Sequence, residues 1–367
     1  MQYVRILLSS IQNTCLNNLK SVIINILTSL SNLLIRISPP TVSNRVKYNL
    51  FQKLDVYGNA FTTYHLRPKN SKDYSYDKNL NDSNALIAIV IQGPLLIEED
   101  FTIETIRFYK KTFQNHLIII STWEDTDTRI LKLLELEKVT IVLSSKPNNN
   151  GPLNINLQIA SSKAGVIKAK ELGAEFVYKT RADQRMYKNL TNSLITLQHT
   201  FPVLNDTEQA ARIIACSFTT LKYRPYGVGD MLMFGHISDM IEYWDSKYDI
   251  RFIQKDEYEN LSVLNYAKVR LAETYLCTNY LNKKGYDLKW TLEDSWRVYS
   301  DRFCIVDAEM FDLFWFKYEW RIEKRFNFYK SNTMQCLKFT DWLEIKSNWN
   351  RLLIDESVLN NREGDYL

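Results

Sequence analysis

A continuous apolar run at residues 86–91 strongly restricts the folds that this sequence can adopt. The run, Leu86-Ile87-Ala88-Ile89-Val90-Ile91, lacks the polar alternation of a strand with one face in water, so it predicts a strand buried on both faces. Strand-like and helix-like segments then alternate along the chain. This alternation predicts βαβ units and a mostly parallel α/β sheet flanked by helices. The predicted strands cover 86–91, 116–121, 138–144 and 174–183, and the predicted helices cover 101–113, 128–137 and 154–172.

The pattern changes after residue 185. Short strands are predicted at 212–216 and 231–234, and helices at 237–244 and 268–281. The chain has 367 residues, of which 45% are apolar and 24% charged, so it can bury a full core. Its net charge of +4 is too small to indicate nucleic-acid binding, and no nucleic-acid partner is predicted. The cysteines are scattered without a metal-ligand or disulfide spacing, which favours a reducing cytosol.

The first 40 residues predict an amphipathic helix. Its apolar stripe is opposed by Ser and Asn, no acidic residue occurs before Asp55, and Pro39-Pro40 is expected to end the helix. A basic amphipathic helix suits an anionic membrane surface, and the alternative is that it packs on the protein's own body or on a partner chain. The stripe comprises Leu19, Ile23, Ile26, Leu27, Leu30, Leu33, Leu34 and Ile37. The segment is too polar to predict a transmembrane span.

Four regions are therefore predicted. They are the helix at 1–40, a connecting segment at 41–83, a catalytic body at 84–310 and an aromatic, basic helical extension at 311–367. The extension is expected to contact lipid headgroups or to pack on the body with a basic face exposed.

Lys179-Thr180-Arg181-Ala182-Asp183 forms the end of the fourth predicted strand. Side chains alternate along a strand, so Lys179, Arg181 and Asp183 are expected to share one face at its carboxyl end. Ligands of open α/β sheets bind beyond this end of the strands. Two cations and a carboxylate suit a phosphate and its metal ion, whereas the alternative is a solvated loop with an Arg–Asp pair.

Five short motifs occur in a fixed order, and together they resemble one known family. They are Ile89-Val90-Ile91-Gln92-Gly93-Pro94, Ile120-Ser121-Thr122-Trp123-Glu124, Asn154-x-Asn156-x-Gln158, Gly165, and Lys179-x-Arg181-x-Asp183-Gln184-Arg185. This series resembles the WavE-type lipopolysaccharide-synthesis family over roughly residues 84–310. The resemblance implies a GT-A-like fold and a glycosyltransferase that moves a sugar from a nucleotide-sugar donor to a lipopolysaccharide or capsule acceptor.

The resemblance also implies a set of donor contacts. Gln92, Gly93 and Pro94 would lie where a GT-A sheet receives the base and ribose, or would simply form a turn. Trp123 would stack on a base or sugar beside Thr122, or be buried. The polar start of the next helix would cap that helix or meet the donor through its free amides. The predicted donor-binding residues are Gln92, Gly93, Pro94, Thr122, Trp123, Asn154, Asn156, Gln158, Lys179, Arg181 and Arg185.

A divalent ion is expected at Asp183. GT-A enzymes commonly use an Asp-x-Asp motif to hold Mg²⁺ or Mn²⁺ against the diphosphate. Arg181 occupies the first position of that motif here, so only Asp183 remains. Mg²⁺ or Mn²⁺ held by Asp183 and substrate phosphates is predicted, with direct charge from Arg181 and Lys179 as the alternative.

Two carboxylates are candidates for the catalytic base. Asp230 follows Gly227-Val228-Gly229, and Glu273 lies near a predicted helix start that resembles the family's acceptor-side acidic helix. Glu273 is predicted to be the base and Asp230 to bind the acceptor, although either could form a structural ion pair.

The predicted protein is cytoplasmic, with peripheral contact to the inner face of the cytoplasmic membrane, and uses a saccharide or lipid-linked saccharide acceptor. A sugar nucleotidyltransferase and a non-catalytic scaffold of a polysaccharide-assembly complex are the alternative functions. The first alternative usually requires a Gly-rich basic loop after the first strand, and Gly93-Pro94-Leu95-Leu96 is poor in Gly.

Overall fold

A computed structural model describes residues 39–58, 67–74, 85–204, 208–251, 260–316 and 335–362, together with single residues and short groups between 25 and 37. The chain forms two compact units, Met1–Arg67 and Pro68–Leu367. Most of the predicted N-terminal helix lies outside the described residues.

The first unit contains helix α1, Pro40–Gly58. The predicted connecting segment therefore includes a regular helix, which its weak apolar periodicity did not indicate. Pro40 stands at the helix start, where a missing backbone N–H costs no helical hydrogen bond. None of the helices that the structure describes is both long and apolar enough to cross a membrane.

A seven-stranded sheet organises the second unit, in the order β3-β2-β1-β4-β7-β6-β8. Strands β1 to β4 are mutually parallel, β7 is antiparallel to both of its neighbours, and β6 pairs parallel with β8. The predicted fold class, a mostly parallel α/β sheet flanked by helices, is confirmed. The strands are β1 Ile87–Gln92, β2 His116–Trp123, β3 Thr140–Ser144, β4 Phe176–Arg181, β6 Ile213–Cys216, β7 Met233–His236 and β8 Phe303–Val306.

Helices cover the sheet and shield its central strands from water. Every residue of β1 is buried, as its continuous apolar sequence predicted. Helix α4 lies so close to β1 that a Cβ at Gly165 would be 2.3 Å from Val90 Cγ1. The helices are α2 Phe101–Thr112, α3 Thr128–Leu136, α4 Ile155–Glu171, α5 Thr191–Thr200, α6 Ile237–Trp244, α7 Val263–Val269, α8 Ala272–Lys283, α9 Leu292–Arg302 and α10 Phe339–Ser347.

The described residues after 310 belong to the second unit and include a strand as well as a helix. Strand β9, Leu313–Trp315, pairs antiparallel with β5, Gln184–Met186, in a two-stranded ribbon. In α10, Trp342 is fully buried, and its Nε1 donates to the carbonyls of Tyr299 and Phe303 at 3.0 Å each. Trp342 therefore packs in the core. A high aromatic content does not by itself distinguish a segment that packs in the core from one that contacts lipid. The aromatic and basic residues at 317–334 lie outside the described residues.

Candidate functional site

The carboxyl end of β4 carries a two-point ion pair. Arg181 Nε donates to Asp183 Oδ1 and Arg181 Nη2 to Asp183 Oδ2, both at 2.8 Å. The Arg181 side chain remains 20% exposed, while that of Asp183 is 8% exposed. The two residues lie together at the sheet edge where the sequence predicted them. Solvent therefore reaches the guanidinium more easily than the carboxylate.

Lys179 occupies the interior beside this pair. Its Nζ donates to the Asp230 carbonyl at 2.5 Å and to Gln158 Oε1 at 3.3 Å, and lies 4.3 Å from the centre of the Trp244 ring. Lys179 is fully buried, so in this structure its ammonium contacts protein groups, and the predicted phosphate contact stays a prediction. Its place is structural, linking β4 to the backbone of Asp230.

Burial lowers the pKa of Lys179 to about 7, because a charged amine loses its hydration there. The carboxylate of Asp230 opposes this pKa change most, the Arg181 charge adds to it, and the carboxylates of Asp183 and Glu273 oppose it more weakly. Asp230, Arg181, Asp183 and Glu273 are thus all near enough to Lys179 to affect its pKa. The fold thus brings Arg181 and Asp183 into the same region as Asp230 and Glu273, the two candidate bases predicted from the sequence.

Asp230 and Glu273 differ in environment. Asp230 is 2% exposed, and its Oδ2 has no hydrogen-bond partner in the described part of the chain. Glu273 lies in the first turn of α8 and is half-buried. A buried carboxylate oxygen without a donor is costly, so Asp230 is suited to accept a hydrogen bond from a bound group.

The side chains at the end of β1 differ in their exposure to solvent. Gln92 is the last residue of the strand, and Gly93 and Pro94 follow it. Gln92 is buried and its Oε1 accepts from Ser161 Oγ at 2.8 Å, so its amide is engaged with α4. Gly93 has φ of 104° and nothing within 4 Å of an ideal Cβ, and Pro94 is exposed. Of the three, Gly93 and Pro94 border open space.

The side chains at the end of β2 are buried, whereas the predicted donor contact needs them to be exposed. Thr122 is fully buried and its Oγ1 lies 3.2 Å from Thr126 Oγ1. Trp123 is 4% exposed, so its ring belongs to the core. The prediction of a stacking surface at Trp123 is not supported by this position.

The residues that begin α4 divide between surface and interior. Asn154 is exposed, has φ of 62° and makes no side-chain cap. Asn156 is buried, and its amide exchanges hydrogen bonds with the Asp249 backbone, at 2.6 Å to the nitrogen and 2.8 Å to the oxygen. Gln158 holds Lys179. Asn156 and Gln158 therefore stabilise the fold, and the exposed Asn154 is the remaining surface member.

Arg185 corrects the predicted donor contact most clearly. It is 1% exposed, and its guanidinium donates to Thr105 Oγ1, to the carbonyls of Lys69 and Phe101, and to Tyr187 Oη. Strand alternation places Arg185 on the opposite face from Gln184, toward α2. A guanidinium with all these partners belongs to the core.

The described residues do not fit a metal ion held by protein side chains. They contain no group of three or more His, Cys, Asp or Glu residues with metal-binding geometry. Both oxygens of Asp183 are engaged with Arg181. The predicted Mg²⁺ or Mn²⁺ stays a prediction.

Sequence reasoning missed three residues around this site. They are Gln184, Trp315 and Phe218. Gln184 pairs with Trp315 in the β5–β9 ribbon, and the Trp315 ring centre is 5.8 Å from Arg181 Cζ and 5.5 Å from the Phe218 ring centre. Trp315 lies 132 positions after Asp183 in the chain, so no local pattern could connect them.

A family model for WavE lipopolysaccharide synthesis matches residues 87–299. The chain belongs to this family. The matched region includes β1 to β4, Asp230 and Glu273, so the family relationship covers the site. The resemblance expected from the five motifs is confirmed, and the family associates the chain with lipopolysaccharide synthesis. None of the curated proteins compared with the chain matches it.

Two solved structures illustrate the distant likeness of known proteins to this WavE-family chain. A protein described as a glucose-1-phosphate thymidylyltransferase from Bacillus anthracis aligns over 56% of this chain and 96% of its own, with 9% identity and a TM-score of 0.30. A 4-diphosphocytidyl-2C-methyl-D-erythritolsynthase from Anaerococcus prevotii aligns over 55% and 100%, with 10% identity and a TM-score of 0.31. At these scores the matches carry no argument about activity.

Proposed function

We propose that this protein is a glycosyltransferase that transfers a sugar from a nucleotide-sugar donor to a lipopolysaccharide or capsule acceptor. The observation that carries the proposal is the partly exposed Arg181–Asp183 pair at the carboxyl end of β4, with Asp230 and Glu273 close to it around Lys179. Family membership supports the biosynthetic setting.

Arg181 supplies the positive charge for the leaving group. As the glycosidic bond breaks, negative charge grows on the nucleoside diphosphate, and a fixed cation at that point lowers the barrier. A guanidinium suits this task because its planar donors can contact two phosphate oxygens at once. Asp183 orients Arg181 through the two hydrogen bonds at 2.8 Å. The partly exposed guanidinium can therefore meet a phosphate without losing its orientation.

Glu273 takes the proton of the acceptor hydroxyl, and Asp230 binds the acceptor. The half-buried Glu273 is accessible to a substrate that approaches α8. The free Oδ2 of Asp230 accepts a hydrogen bond from a second acceptor hydroxyl. In this arrangement the hydroxyl oxygen attacks the anomeric carbon, the bond to the diphosphate breaks, and Glu273 receives the proton.

Nucleotide binding and donor turnover test the proposal. Calorimetric titration with uridine, guanosine and cytidine diphosphates should detect binding to the wild type. Asp183→Ala and Arg181→Ala should lower donor turnover by about 10²-fold or more, as removal of transition-state stabilisers does. Unchanged nucleotide affinity and turnover in both variants would show that the site lies elsewhere.

The same titrations separate the alternative functions. A sugar nucleotidyltransferase would bind a nucleoside triphosphate more tightly than the diphosphate and release pyrophosphate. A scaffold would bind neither. Glu273→Gln should leave diphosphate affinity unchanged and reduce transfer by roughly 10² to 10⁴, because it removes only the proton acceptor. Asp230→Asn decides between the two carboxylates: loss of transfer in this variant alone would reverse their roles.

A further inference from the structure

Gln184 carries a buried amide with no partner. The side chain is fully buried in β5, and neither its Oε1 nor its Nε2 forms a hydrogen bond within the described part of the chain. Leaving a buried polar group unsatisfied costs roughly 1–3 kcal/mol. Gln198 shows the contrast, since its Nε2 donates to the Arg212 carbonyl at 2.7 Å. An amide that is kept at this cost calls for an explanation beyond packing.

Two aromatic rings lie on the same face as this amide. Gln184 is directly opposite Trp315 in the antiparallel β5–β9 pair, and directly opposed residues of such a pair share a face. Trp315 is half-buried and meets the half-buried Phe218 ring in an edge-to-face contact, with interplanar angle 76°. The three side chains therefore combine one uncharged hydrogen-bonding group with a partly accessible aromatic surface.

Backbone contacts tie these side chains to the candidate site on two sides. Phe316 N donates to the Asp183 carbonyl at 2.9 Å, immediately after Trp315. On the other side, a Cβ at Gly229 would lie 2.7 Å from the Phe218 carbonyl, so the Phe218 loop packs directly on the residue before Asp230. The strand that carries Trp315 thus adjoins Asp183, and the Phe218 loop adjoins the residue before Asp230.

We propose that Gln184, Trp315 and Phe218 form a subsite for a pyranose ring of the transfer reaction. The apolar C–H face of a pyranose packs on an aromatic ring, while its hydroxyls require donors and acceptors at the edge. The amide of Gln184 provides both, with its oxygen accepting and its nitrogen donating. This inference rests on the proposed glycosyl transfer and identifies the part of the site that holds a sugar.

The strand order favours a sugar over the nucleotide base. Strand β4 lies between β1, which is followed by Gly93 and Pro94, and β7, whose other neighbour is β6. Phe218 follows β6 in the chain, and Asp230 precedes β7. A base near Gly93 would therefore lie on the opposite side of β4 from Phe218. The sugar is either that of the donor or that of the acceptor, and both present the same hydroxyls and C–H face.

Gln184→Leu tests the subsite because it keeps the side-chain size and removes only the amide. In saturation-transfer NMR with the methyl glycosides of glucose, galactose and mannose, the wild type should saturate the ring C–H protons of at least one glycoside. Gln184→Leu should weaken that glycoside's affinity by roughly 10-fold, as loss of one or two hydrogen bonds does. Its melting temperature should stay level or rise, since no protein hydrogen bond is lost.

Gln198→Leu is the matched control. It should lower the melting temperature, because it leaves the Arg212 carbonyl without its donor, and it should leave glycoside affinity unchanged. Phe218→Leu provides a second variant of the subsite, with reduced ring saturation expected. Absence of saturation in the wild type for all three glycosides, or a melting-temperature loss in Gln184→Leu equal to that in Gln198→Leu, would overturn the proposal.

Competition assigns the sugar. If UDP-glucose, UDP-galactose or GDP-mannose displaces the glycoside while the free diphosphates do not, the subsite holds the donor sugar. If none of these displaces it, the subsite holds the acceptor. Displacement by free uridine or guanosine diphosphate would overturn the sugar assignment. Calorimetry of Gln184→Leu with these diphosphates should give wild-type affinity, so a failed nucleotide test and a failed saccharide test are separate results.

Discussion

At the scale of single residues, Arg181 and Arg185 show how two arginines four positions apart can differ, one partly exposed and the other fully buried. Strand alternation predicted Arg181 on the face of Lys179 and Asp183, and the structure brings these residues together. The same sequence could not show that Lys179 is covered by Trp244, or that Arg185 is enclosed by backbone carbonyls. Charge type and spacing therefore predict where a cation lies along a strand, whereas its accessibility depends on elements distant in the chain.

Arg185→Met should lower the stability of the protein and leave its affinity for nucleoside diphosphates unchanged. The substitution leaves the Phe101 and Lys69 carbonyls without their guanidinium donors, which we expect to lower the free energy of unfolding by about 2–5 kcal/mol. Urea unfolding measures this loss, and calorimetry below the melting temperature should find wild-type affinity for nucleoside diphosphates. Weakened nucleotide binding with unchanged stability would restore the donor role that the sequence predicted.

Lys179 should make stability depend on pH. Burial lowers its pKa in the folded protein from 10.5 to about 7, so between these values the unfolded chain binds more protons than the folded one. The free energy of unfolding contributed by this residue therefore rises with pH across that window, and its unfavourable effect is complete below about pH 7. Urea unfolding at several pH values from 7 to 10 should give a steeper rise for the wild type than for Lys179→Met. Parallel slopes would contradict the burial of the charge.

At the scale of elements, the parallel half of the sheet was predictable and the rest was not. Strand β1 is a continuous apolar run between turn residues, and its burial on both faces follows from that sequence. The β5–β9 ribbon joins two three-residue strands that are far apart in the chain, and such short segments carry no readable period. The predicted helix at 268–281 divides into α7 and α8, so the structure places a break just before Glu273.

The N-terminal apolar stripe leads to a prediction about membranes. Ile26, Leu30, Leu33 and Ile37 recur at helical spacing, and each is more than half exposed. Leu30→Glu should reduce co-sedimentation with anionic vesicles by at least about 10-fold, since burying one Leu contributes roughly 1.5–3 kcal/mol. Ser31→Glu adds the same charge at another exposed position away from the stripe, so it should have a smaller effect, about 1 kcal/mol. Equal losses in both variants would indicate charge alone, and no loss in either would exclude the stripe as a membrane contact.

At the scale of the whole molecule, the candidate site exists only when the second unit is folded. Arg181, Asp230, Glu273 and Trp315 come from four separate segments of that unit. A nucleotide that binds them should therefore stabilise the unit against cooperative unfolding, by about 2.7 kcal/mol at a concentration of 100 times Kd. We expect this stabilisation by a nucleoside diphosphate to persist in excess EDTA, because Arg181 supplies positive charge that GT-A enzymes commonly take from a metal.

Thermal unfolding with a bound nucleoside diphosphate, in EDTA and in Mg²⁺ or Mn²⁺, measures this effect. Arg181→Ala should abolish the ligand-dependent shift in both solutions, and Arg181→Lys should retain only part of it because one ammonium cannot form the two-point pair with Asp183. A shift that appears only with the metal would mean that Asp183 exchanges Arg181 for the ion when the nucleotide binds. The sequence-based prediction of a metal at Asp183 would then be correct, and the role of Arg181 would be to orient that carboxylate in the metal-free protein.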